Sequence, residues 1–586
     1  MSQSTSDTEK ELGGAHHSHP TPDDQENEKY TTPPNNPENE NATGKENNTE
    51  NQEAAVVDQT SGGGGGGGQQ PPASTHRSGL RLAIVIICLQ LATFCVALDN
   101  TIVATAIPRI TDEFHALSDV GWYGSSYLLT ISAFQLFFGR WYSLFSIKWS
   151  FLGTLFLFEV GSLICALAPT STALIIGRAI SGVGSSGVFA GALIILAFTT
   201  PLEKRPLYTG IIGAVYGIAS VVGPLLGGVL TDRLTWRWCF YINLPIGGAA
   251  AFGIVFFLQM PPAPPRPKAT WLESVKRFDP LGTLLFLPCV VSVLLALQWG
   301  GTTYPYSNGR IIALFVVFGV LLIAFAGVQF WAGENATVPL RIAKQRTVAA
   351  TSLYSMLTAG SFFITIYYLP LWFQAITGVS AMQSGIDTLP LTISQSITSL
   401  VTGALVSKVG YYTPFMYALL VFASVGAGLM TTFTVNISTG RWIGYQILYG
   451  FGVGLGRQQA LVAVQAVLPR QDAPTGTAIL LFSQMFGGAL FVSVAQNLFT
   501  NHLVSGLAGI PGVNVGEITS AGATDIVKII TDPATLRRVQ VVYNNAVVQT
   551  FQLSLILVTL STLGAVFVEW KSVKKPPQPK PQTEST

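Results

Sequence analysis

Residues 82–98 read LAIVIICLQLATFCVAL, and the apolar run continues through residues 97–108, ALDNTIVATAIP. A stretch of about 20 apolar residues is long enough to cross the hydrocarbon core of a bilayer. Asp99 and Asn100 lie inside this run. Because an ionisable side chain is costly at that depth, Asp99 points to a functional role. A structural role, in which Asp99 bonds to the backbone of a neighbouring helix, stays open.

The composition indicates a membrane protein. Hydrophobic residues make up 49% and charged residues 11% of the 586 residues, whereas soluble domains carry about 25% charge. We therefore predict an all-α polytopic membrane protein. The formal net charge of +2 gives no sign of nucleic-acid binding. Five cysteines fall in or beside apolar runs and are expected to be buried thiols without disulfides: Cys88, Cys95, Cys165, Cys239 and Cys289.

About fourteen spans follow from the length of the apolar runs. Lysine and arginine are more frequent on the loops that share a side with the N-terminus, which the positive-inside rule assigns to the cytosol. An even number of spans then places both termini in the cytosol. The predicted spans are 82–107, 120–142, 149–168, 172–198, 207–231, 239–258, 281–299, 311–331, 348–376, 385–407, 413–433, 441–467, 474–500 and 548–569.

The two ends of the chain differ from the membrane region. Residues 1–78 are rich in Asn, Glu, Gln, Thr and Pro and include seven consecutive glycines at 62–68. Such a segment has too few apolar residues to fold, and we predict a disordered cytosolic tail. No apolar segment opens the chain, so we expect no cleavable signal peptide. Residues 571–586 form a second, basic and Pro-rich cytosolic tail.

A faint internal repeat divides the membrane region. Residues 178–184 read RAISGVG and residues 446–452 read QILYGFG, so a polar residue and two glycines keep the same spacing. Secondary transporters are often built from two such repeats with the substrate site between them. We predict six-helix bundles at 79–260 and 341–570, joined by a linker at 261–340 that carries two inserted helices.

Three charges occupy similar depths in the predicted spans. Asp99 lies eight residues before Ile107, or roughly 12 Å deep. Glu159 lies roughly 14 Å from its span end and Arg178 roughly 9 Å from its own. Opposite charges at one level can pair, and a carboxylate beside an arginine can exchange a proton. For Glu159 a satisfied structural carboxylate is an equal alternative.

The segment at 217–230, GIASVVGPLLGGVL, combines features of a hinge. Pro224 removes a backbone hydrogen bond, and glycines allow another helix to approach closely. We expect Gly223, Gly227 and Gly228 to form a kinked helix face, with simple tight packing as the alternative.

Several motifs in order resemble the major facilitator superfamily, in particular its fourteen-span drug:proton antiporters and the fungal toxin and multidrug efflux carriers. Residues 98–108 match the first-span signature LDxTIVxxAxP, and residues 178–184 match RxxxGxG. Gly210, Gly223, Pro224, Gly227 and Gly228 match the fifth-span antiporter motif. Residues 236–247 match WRWxFxINxPxG, and residues 444–465 resemble the twelfth span of the toxin exporters. The resemblance covers residues 80–570.

The resemblance implies a major facilitator fold that exports small, largely apolar compounds in exchange for protons by alternating access. It implies proton coupling by Asp99 with Arg178 as its partner, and Glu159 as a weaker candidate. The family's gating loop keeps Gly139, Arg140 and Lys148, but Ser143 stands where an acidic residue is usual. Ala219 likewise replaces the middle glycine of the antiporter motif.

The substrate cavity is assigned from position alone. Arg457 adds a charge that would bias the cavity toward anionic or polar substrates. The remaining wall candidates are Trp122, Tyr127, Tyr216, Trp372, Gln374 and Gln484.

Two alternatives to an exporter stay open. The same scaffold could import siderophores or small nutrients, or the chain could be a non-transporting sensor. An enzyme is not expected, because no phosphate-binding loop or metal-ligand cluster is present, and His16, His17 and His19 lie in the disordered tail. We expect no cofactor, a small-molecule substrate and a monomer. The plasma membrane is favoured over the vacuolar membrane.

Overall fold

The computed structural model describes residues 79–116, 119–260, 278–301, 304–520, 530 and 532–574. The predicted tail at 1–78, linker residues 261–277 and residues 575–586 lie outside the described part. Within that part the secondary structure is helical, with two isolated β-bridges and no extended strand. The all-α prediction is therefore confirmed for the described residues. All five cysteines are buried and free, as expected.

The described chain up to residue 332 consists of long helices and one short one. Thr170 caps the fourth helix by accepting a hydrogen bond from the Ala173 N–H. Pro206 stands in the first turn of the fifth, where its missing N–H leaves no bond unmade. The helices are α1 (Gly79–Phe114), α2 (Val120–Leu144), α3 (Ile147–Leu167), α4 (Ser171–Thr199), α5 (Arg205–Arg233), α6 (Trp238–Tyr241), α7 (Asn243–Phe257), α8 (Pro280–Trp299) and α9 (Gly309–Ala332).

The helices of the second part of the chain include both long and short ones. They are α10 (Leu340–Ala343), α11 (Arg346–Trp372), α12 (Ala381–Asp387), α13 (Leu389–Val409), α14 (Thr413–Met430), α15 (Thr439–Gly456), α16 (Gln459–Val467), α17 (Ala473–Leu507), α18 (Val515–Ser520), α19 (Pro533–Leu560) and α20 (Thr562–Val566). Gly410 ends α13 with φ of 97°, a conformation that favours glycine. Arg457 and Gln458 interrupt the helix between α15 and α16.

Twelve helical segments of the described chain are long and apolar enough to cross a membrane. The predicted spans at 120–142 and 441–467 are helical as well, but neither is among the twelve. The first of them, α2, buries polar side chains such as Ser126, Ser132 and Gln135 inside the bundle. The second is interrupted at residues 457–458. A polytopic helical fold is thus established, whereas the count of fourteen spans is not confirmed.

The glycine pairs that suggested an internal repeat make equivalent contacts. A Cβ atom added at Gly182 would collide with α2, and one at Gly184 would collide with α3. In the same way, Gly450 lies against α13 and Gly452 against α14. The backbones approach this closely only because the side chains are absent. Helix α4 therefore packs on α2 and α3 as α15 packs on α13 and α14.

The polar residue of the repeat also has a matching partner in each half. Arg178 Nε donates a hydrogen bond of 2.8 Å to the Tyr123 carbonyl near the start of α2. Gln446 Nε2 donates one of 2.9 Å to the Asp387 carbonyl, just before α13. The repeat read from seven residues thus extends to helix packing and hydrogen bonding.

Helices α8 and α9 pack on each other and are anchored by Asp279. Its carboxylate accepts hydrogen bonds from the N–H of Gly282 (2.8 Å), from Gln329 Nε2 (2.9 Å) and from both the N–H and hydroxyl of Thr337. A buried carboxylate needs such partners to offset its desolvation. Most of the apolar side chains of α9 remain exposed in the protein, which suits a helix covered by lipid.

Candidate functional site: a buried ion pair beside a polar cavity

Asp99 of α1 and Arg178 of α4 form an ion pair inside the membrane region. Arg178 Nη1 lies 2.5 Å from Asp99 Oδ2, and the Arg178 and Asp99 side chains are 1% and 0% exposed, respectively. The same nitrogen also donates to the Asp99 carbonyl at 3.3 Å. The two charges that the sequence placed at similar depth are therefore in direct contact, where each offsets the cost of burying the other.

Helix α2 completes the setting of the guanidinium. Besides the bond from Nε to the Tyr123 carbonyl, the Arg178 guanidinium carbon lies 4.2 Å from the centre of the Tyr127 ring. The Tyr127 hydroxyl is itself bonded to the Val96 carbonyl at 3.0 Å and to Ser185 Oγ at 2.7 Å. A cation above a desolvated aromatic face is stabilised by the ring quadrupole. Tyr127, predicted in the cavity wall, instead supports the ion pair.

The second oxygen of Asp99 is held by a residue to which the sequence analysis gave no role. Asn243 Nδ2 at the start of α7 donates to Asp99 Oδ1 at 3.0 Å and to Ser162 Oγ at 3.2 Å. Asn243 is fully buried, and its own Oδ1 has no hydrogen-bond partner among the described residues. The sequence feature that could have identified Asn243 is its place in the INxPxG part of the motif at 236–247. Asn243 joins α1, α3 and α7 at the carboxylate.

Glu159 lies on α3 and does not join the ion pair. Both its carboxyl oxygens are buried and, among the described residues, have no hydrogen-bond partner. The carboxyl group lies against Gly247 of α7, where an added Cβ atom would collide with Oε1. A buried carboxylate without a partner is strongly disfavoured, so this site suits a neutral carboxyl group.

A polar cavity lies between helices of the two halves. It is lined by three of the residues proposed for the substrate cavity: Tyr216 of α5, Gln484 of α17 and Arg457. Its volume of about 30 Å³ leaves room for about one water molecule, so the cavity is closed in this conformation. The other lining residues are Phe189, Leu193, Ile212, Gly213, Gln395, Gln458, Leu461, Leu480, Leu481 and Met485.

Three other residues predicted for the cavity wall lie elsewhere. Trp372 is buried in the second half, where its Nε1 donates to Asn544 Oδ1 at 2.8 Å. Gln374 bonds to Ser384 Oγ at 2.9 Å. Trp122, near the start of α2, makes an edge contact with Trp299 of α8. The period of a helix places a residue at a depth, but the rotation of the helix decides which neighbour it faces.

The glycines of α5 serve two interfaces. Cβ atoms at Gly223 and Gly227 would collide with α1, at Thr101 and Ile102. Gly210 lies against α13 of the other half, where an added Cβ would be 2.6 Å from the Ser399 carbonyl oxygen. Gly228 is different, because no atom of the described residues lies within 4 Å of its missing Cβ. The expected close approach is therefore wrong for Gly228.

Pro224 interrupts the hydrogen bonding of α5 at the same level. It lies inside the helix and lacks the N–H that would bond to the carbonyl four residues earlier. One turn before, Thr101 Oγ1 of α1 donates to the Ala219 carbonyl at 3.2 Å. The contact of α5 with α1 therefore combines close glycine packing with a weakened point in the helix.

The residues predicted for the gating loop lie at helix ends. Gly139 and Arg140 belong to the last turns of α2, and a Cβ at Gly139 would collide with Ala478 of α17. Arg140 Nη2 donates to the Glu334 carbonyl at 3.3 Å. Lys148 Nζ, in the first turn of α3, donates to the Val255 carbonyl at 2.7 Å. Gly139 thus marks a close contact between the two halves.

The WRW segment fastens the far end of α1. Glu113 accepts hydrogen bonds from Trp236 Nε1 at 2.6 Å and from Arg237 Nη1 at 2.8 Å. Arg237 also donates to the Ala168 carbonyl after α3. Partial burial by itself would raise the pKa of Glu113, but these hydrogen bonds and the positive charge outweigh it and lower the pKa. The motif therefore ties α1, α3 and α6 together.

In the described residues no group of three His, Cys, Asp or Glu side chains is placed to hold a metal ion. The site consists of a buried ion pair, a second carboxyl group and a closed polar cavity inside a helical membrane bundle. Ionisable groups near the midplane beside a cavity between two repeats are the arrangement of secondary transporters.

The comparisons with known proteins agree with this class. The model of the Major Facilitator Superfamily matches residues 89–492. The MFS-type transporter phomT of Diaporthe leptostromiformis is 60% identical over 502 residues, covering 85% of this chain and 84% of phomT. The efflux pump aflT of Aspergillus parasiticus is 54% identical over 506 residues, covering 86% of this chain and 98% of aflT. The protein belongs to the major facilitator superfamily, whose members are transporters and not enzymes.

Solved structures show the same fold at low identity. A bacterial homologue of the human lysosomal transporter Spinster, in its inward-facing and unoccupied conformation, is 16% identical with a TM-score of 0.51. It aligns with 84% of this chain and 98% of its own. The proton:xylose symporter XylE aligns with 81% of this chain and 95% of its own, with 14% identity and a TM-score of 0.50. These likenesses concern the fold alone.

Proposed function

We propose that this protein exports small, largely apolar organic compounds in exchange for protons by alternating access. The observation that carries the proposal is the buried ion pair of Asp99 and Arg178. The residue after Asp99 on α1, Asn100, contacts Tyr216 in the cavity wall. Ionisable side chains inside a membrane protein mark proton and substrate pathways. The outward direction is supported by relatives that are named efflux pumps.

Asp99 is the proposed proton carrier. As a carboxylate it balances Arg178 and holds α1 against α4 and α7. Protonation removes the negative charge and with it most of the attraction to the guanidinium. The helices are then free to rearrange, and the proton leaves on the opposite side when that side becomes accessible. Loading from outside and release inside would couple proton entry to substrate exit.

Glu159 is the proposed second acid. Its buried oxygens, without a partner among the described residues, favour a neutral carboxyl group in this conformation. Asn243 of α7 donates hydrogen bonds both to Asp99 and to Ser162 of α3, and Ser162 is one helical turn from Glu159. A proton held at Glu159 could therefore be passed to Asp99 when water enters between them.

Helix α5 is the proposed moving element. Gly223 and Gly227 hold it on α1, while Gly210 holds it on α13 of the other half. Pro224 lacks the N–H that would form a helical hydrogen bond in the middle of α5. Bending at this point would open the cavity toward one side without separating α5 from α1.

The finer topology is part of the same proposal. We assign fourteen spans by adding α2 and the α15–α16 pair to the twelve apolar segments. Both termini are then cytosolic, and the bundles at 79–260 and 341–570 flank the inserted helices in 261–340. The protein is proposed to act as a monomer in the plasma membrane.

Inside-out vesicles test the function. With an acidic lumen, wild-type protein should accumulate labelled apolar toxins or drugs inside the vesicles, and Asp99→Asn should not. Asp112→Asn, an exposed aspartate farther along α1, serves as a matched control and should accumulate them normally. Movement out of the lumen would favour an importer instead. If no compound moves in response to the gradient, the transport proposal is wrong.

A further inference from the structure

Arg457 is a cation that the described chain leaves without a counter-charge. None of the ion pairs among the described residues involves it, and its Nε is buried without a hydrogen-bond partner. Its guanidinium carbon lies 4.5 Å from the centre of the Phe362 ring and 6.0 Å from that of Phe363. Aromatic faces are the main stabilising groups that the described residues bring to it.

A comparison with Arg178 shows which partners Arg457 lacks. Arg178 has the carboxylate of Asp99, the Tyr123 carbonyl and an aromatic face. Among the described residues, Arg457 has only the two aromatic faces. A buried charge is costly unless it is paired and hydrogen-bonded, and a cation–π contact replaces only part of that. The guanidinium of Arg457 therefore has donors available for an anion that comes from outside the chain.

The cavity around Arg457 suits such an anion. Arg457 lies at the break between α15 and α16, and interrupted helices commonly form transporter binding sites. Gln395, Gln458 and Gln484 line the same cavity, and their side chains make no hydrogen bond within the described residues. The rest of the wall is apolar and aromatic. A charged group would meet Arg457 and the amides, while a hydrophobic scaffold would meet the other side chains.

We propose that Arg457 binds the acidic group of the substrate, so that the exported compounds are organic anions. Their chemistry would be a carboxylate or an ionised enol or phenol on an apolar, largely aromatic scaffold. Arginine is suited to this because its planar donors bind a carboxylate through two parallel hydrogen bonds. The proposal rests on the export function proposed above. Because the closed cavity holds about 30 Å³, binding takes place when the halves separate.

Two probes of the same shape test the charge preference. 1-Naphthoate carries a carboxylate, and 1-naphthamide replaces it with a neutral amide on the same ring. Binding of each to the full chain in nanodiscs at neutral pH is measured for wild type and Arg457→Gln. Losing the charged hydrogen bonds should weaken naphthoate binding by about tenfold or more and leave naphthamide binding unchanged. Arg457→Lys, which keeps the charge, should retain part of the preference.

A matched variant separates this effect from net charge and folding. Arg441 is exposed at the other end of α15, and Arg441→Gln should bind both probes as wild type does. Naphthamide binding by Arg457→Gln reports that the variant is folded. Equal loss of both probes, or no naphthoate binding by wild type, would overturn the proposal.

Proton-driven uptake of the two probes into inside-out vesicles separates this proposal from export itself. Uptake of naphthoate that is lost in both Asp99→Asn and Arg457→Gln supports both proposals. Arg457-dependent naphthoate binding without any proton-driven uptake would overturn the export function, and with it the role of the bound anion as cargo. If proton-driven uptake of both probes is the same in wild type and Arg457→Gln, only the anion proposal would be overturned.

Discussion

Asn100 Nδ2 donates a hydrogen bond of 3.4 Å to the hydroxyl of Tyr216 and so joins the helix that carries Asp99 to the cavity wall. Asn100 follows Asp99 on α1, while Tyr216 lies on α5 and lines the cavity beside Arg457. A change in the position of α1 when Asp99 gains a proton would therefore be felt at the cavity. We propose that this contact is the route that couples Asp99 to the cavity.

Tyr216→Phe should weaken that route without emptying the cavity wall. The ring remains, and the loss of one neutral hydrogen bond between α1 and α5 should cost about 1 kcal/mol of stability. Any difference in substrate affinity between pH 6 and pH 8 that depends on Asp99 should shrink, because a change at Asp99 is no longer transmitted to the cavity. Substrate binding measured at both pH values checks this. Tyr411→Phe, at an exposed tyrosine, is the control, and an unaltered pH dependence in Tyr216→Phe would exclude the route.

The ion pair should behave as a unit in stability measurements. Arg178→Gln leaves Asp99 buried and unpaired, and Asp99→Asn does the same to Arg178, so each should cost about 3–5 kcal/mol. The double variant removes both charges and should recover much of that loss. Thermal unfolding of the three variants in detergent gives the coupling. Additive losses in the double variant would mean that the pair is not energetically coupled.

Neighbouring glycines on α5 should respond differently to alanine. At Gly227 the new methyl group meets the Ile102 carbonyl and the Thr105 hydroxyl of α1, and overpacking of this kind costs about 1–3 kcal/mol. At Gly228 the methyl group meets nothing, and alanine should be neutral or stabilise the helix by up to about 1 kcal/mol. Thermal stability and transport are measured for both variants. A harmful Gly228→Ala would contradict the assigned contact face.

Glu159→Gln tests whether the second carboxyl group is neutral. An amide of the same shape replacing a neutral carboxyl keeps the volume and the charge, so it should cost only about 1 kcal/mol for the additional buried donor. If Glu159 also passes protons to Asp99, transport by the variant should fall while substrate binding remains. Stability and transport are therefore measured together. A large loss of stability would show instead that Glu159 acts as a charged structural residue.

Glu113 gives a pH-dependent prediction outside the membrane region. Its pKa is lowered in the folded protein, so its stabilising contribution is present above the unfolded pKa of about 4.3 and is lost as the pH falls through the folded-state pKa. Because the side chain is 44% exposed, the contribution should stay below about 1 kcal/mol. Melting temperatures of wild type and Glu113→Gln should differ at pH 7 and converge at acidic pH. A constant difference would argue against the ion pair with Arg237.

The sequence by itself determined that the chain lies in a lipid bilayer, that it is helical, and that Asp99 and Arg178 lie at similar depth. An aspartate inside an apolar span can be read directly from the sequence, and the rise of a helix is constant, so its depth could be counted from the span ends. The same reasoning brought Arg178 to the right level. The glycine spacing in α4 and α15 predicted a repeat that appears again in their helix contacts.

Only the tertiary structure decided which side chains face each other. Asn243 reaches Asp99 because α7 packs against α1, whereas Trp372 turns away from the cavity and bonds to Asn544. Gly227 contacts α1 and its neighbour Gly228 does not. The rotation of each helix about its axis is set by packing against all its neighbours, and a one-residue step changes the direction of a side chain by about 100°. Local sequence carries the depth of a residue, and the assembled bundle supplies its partner.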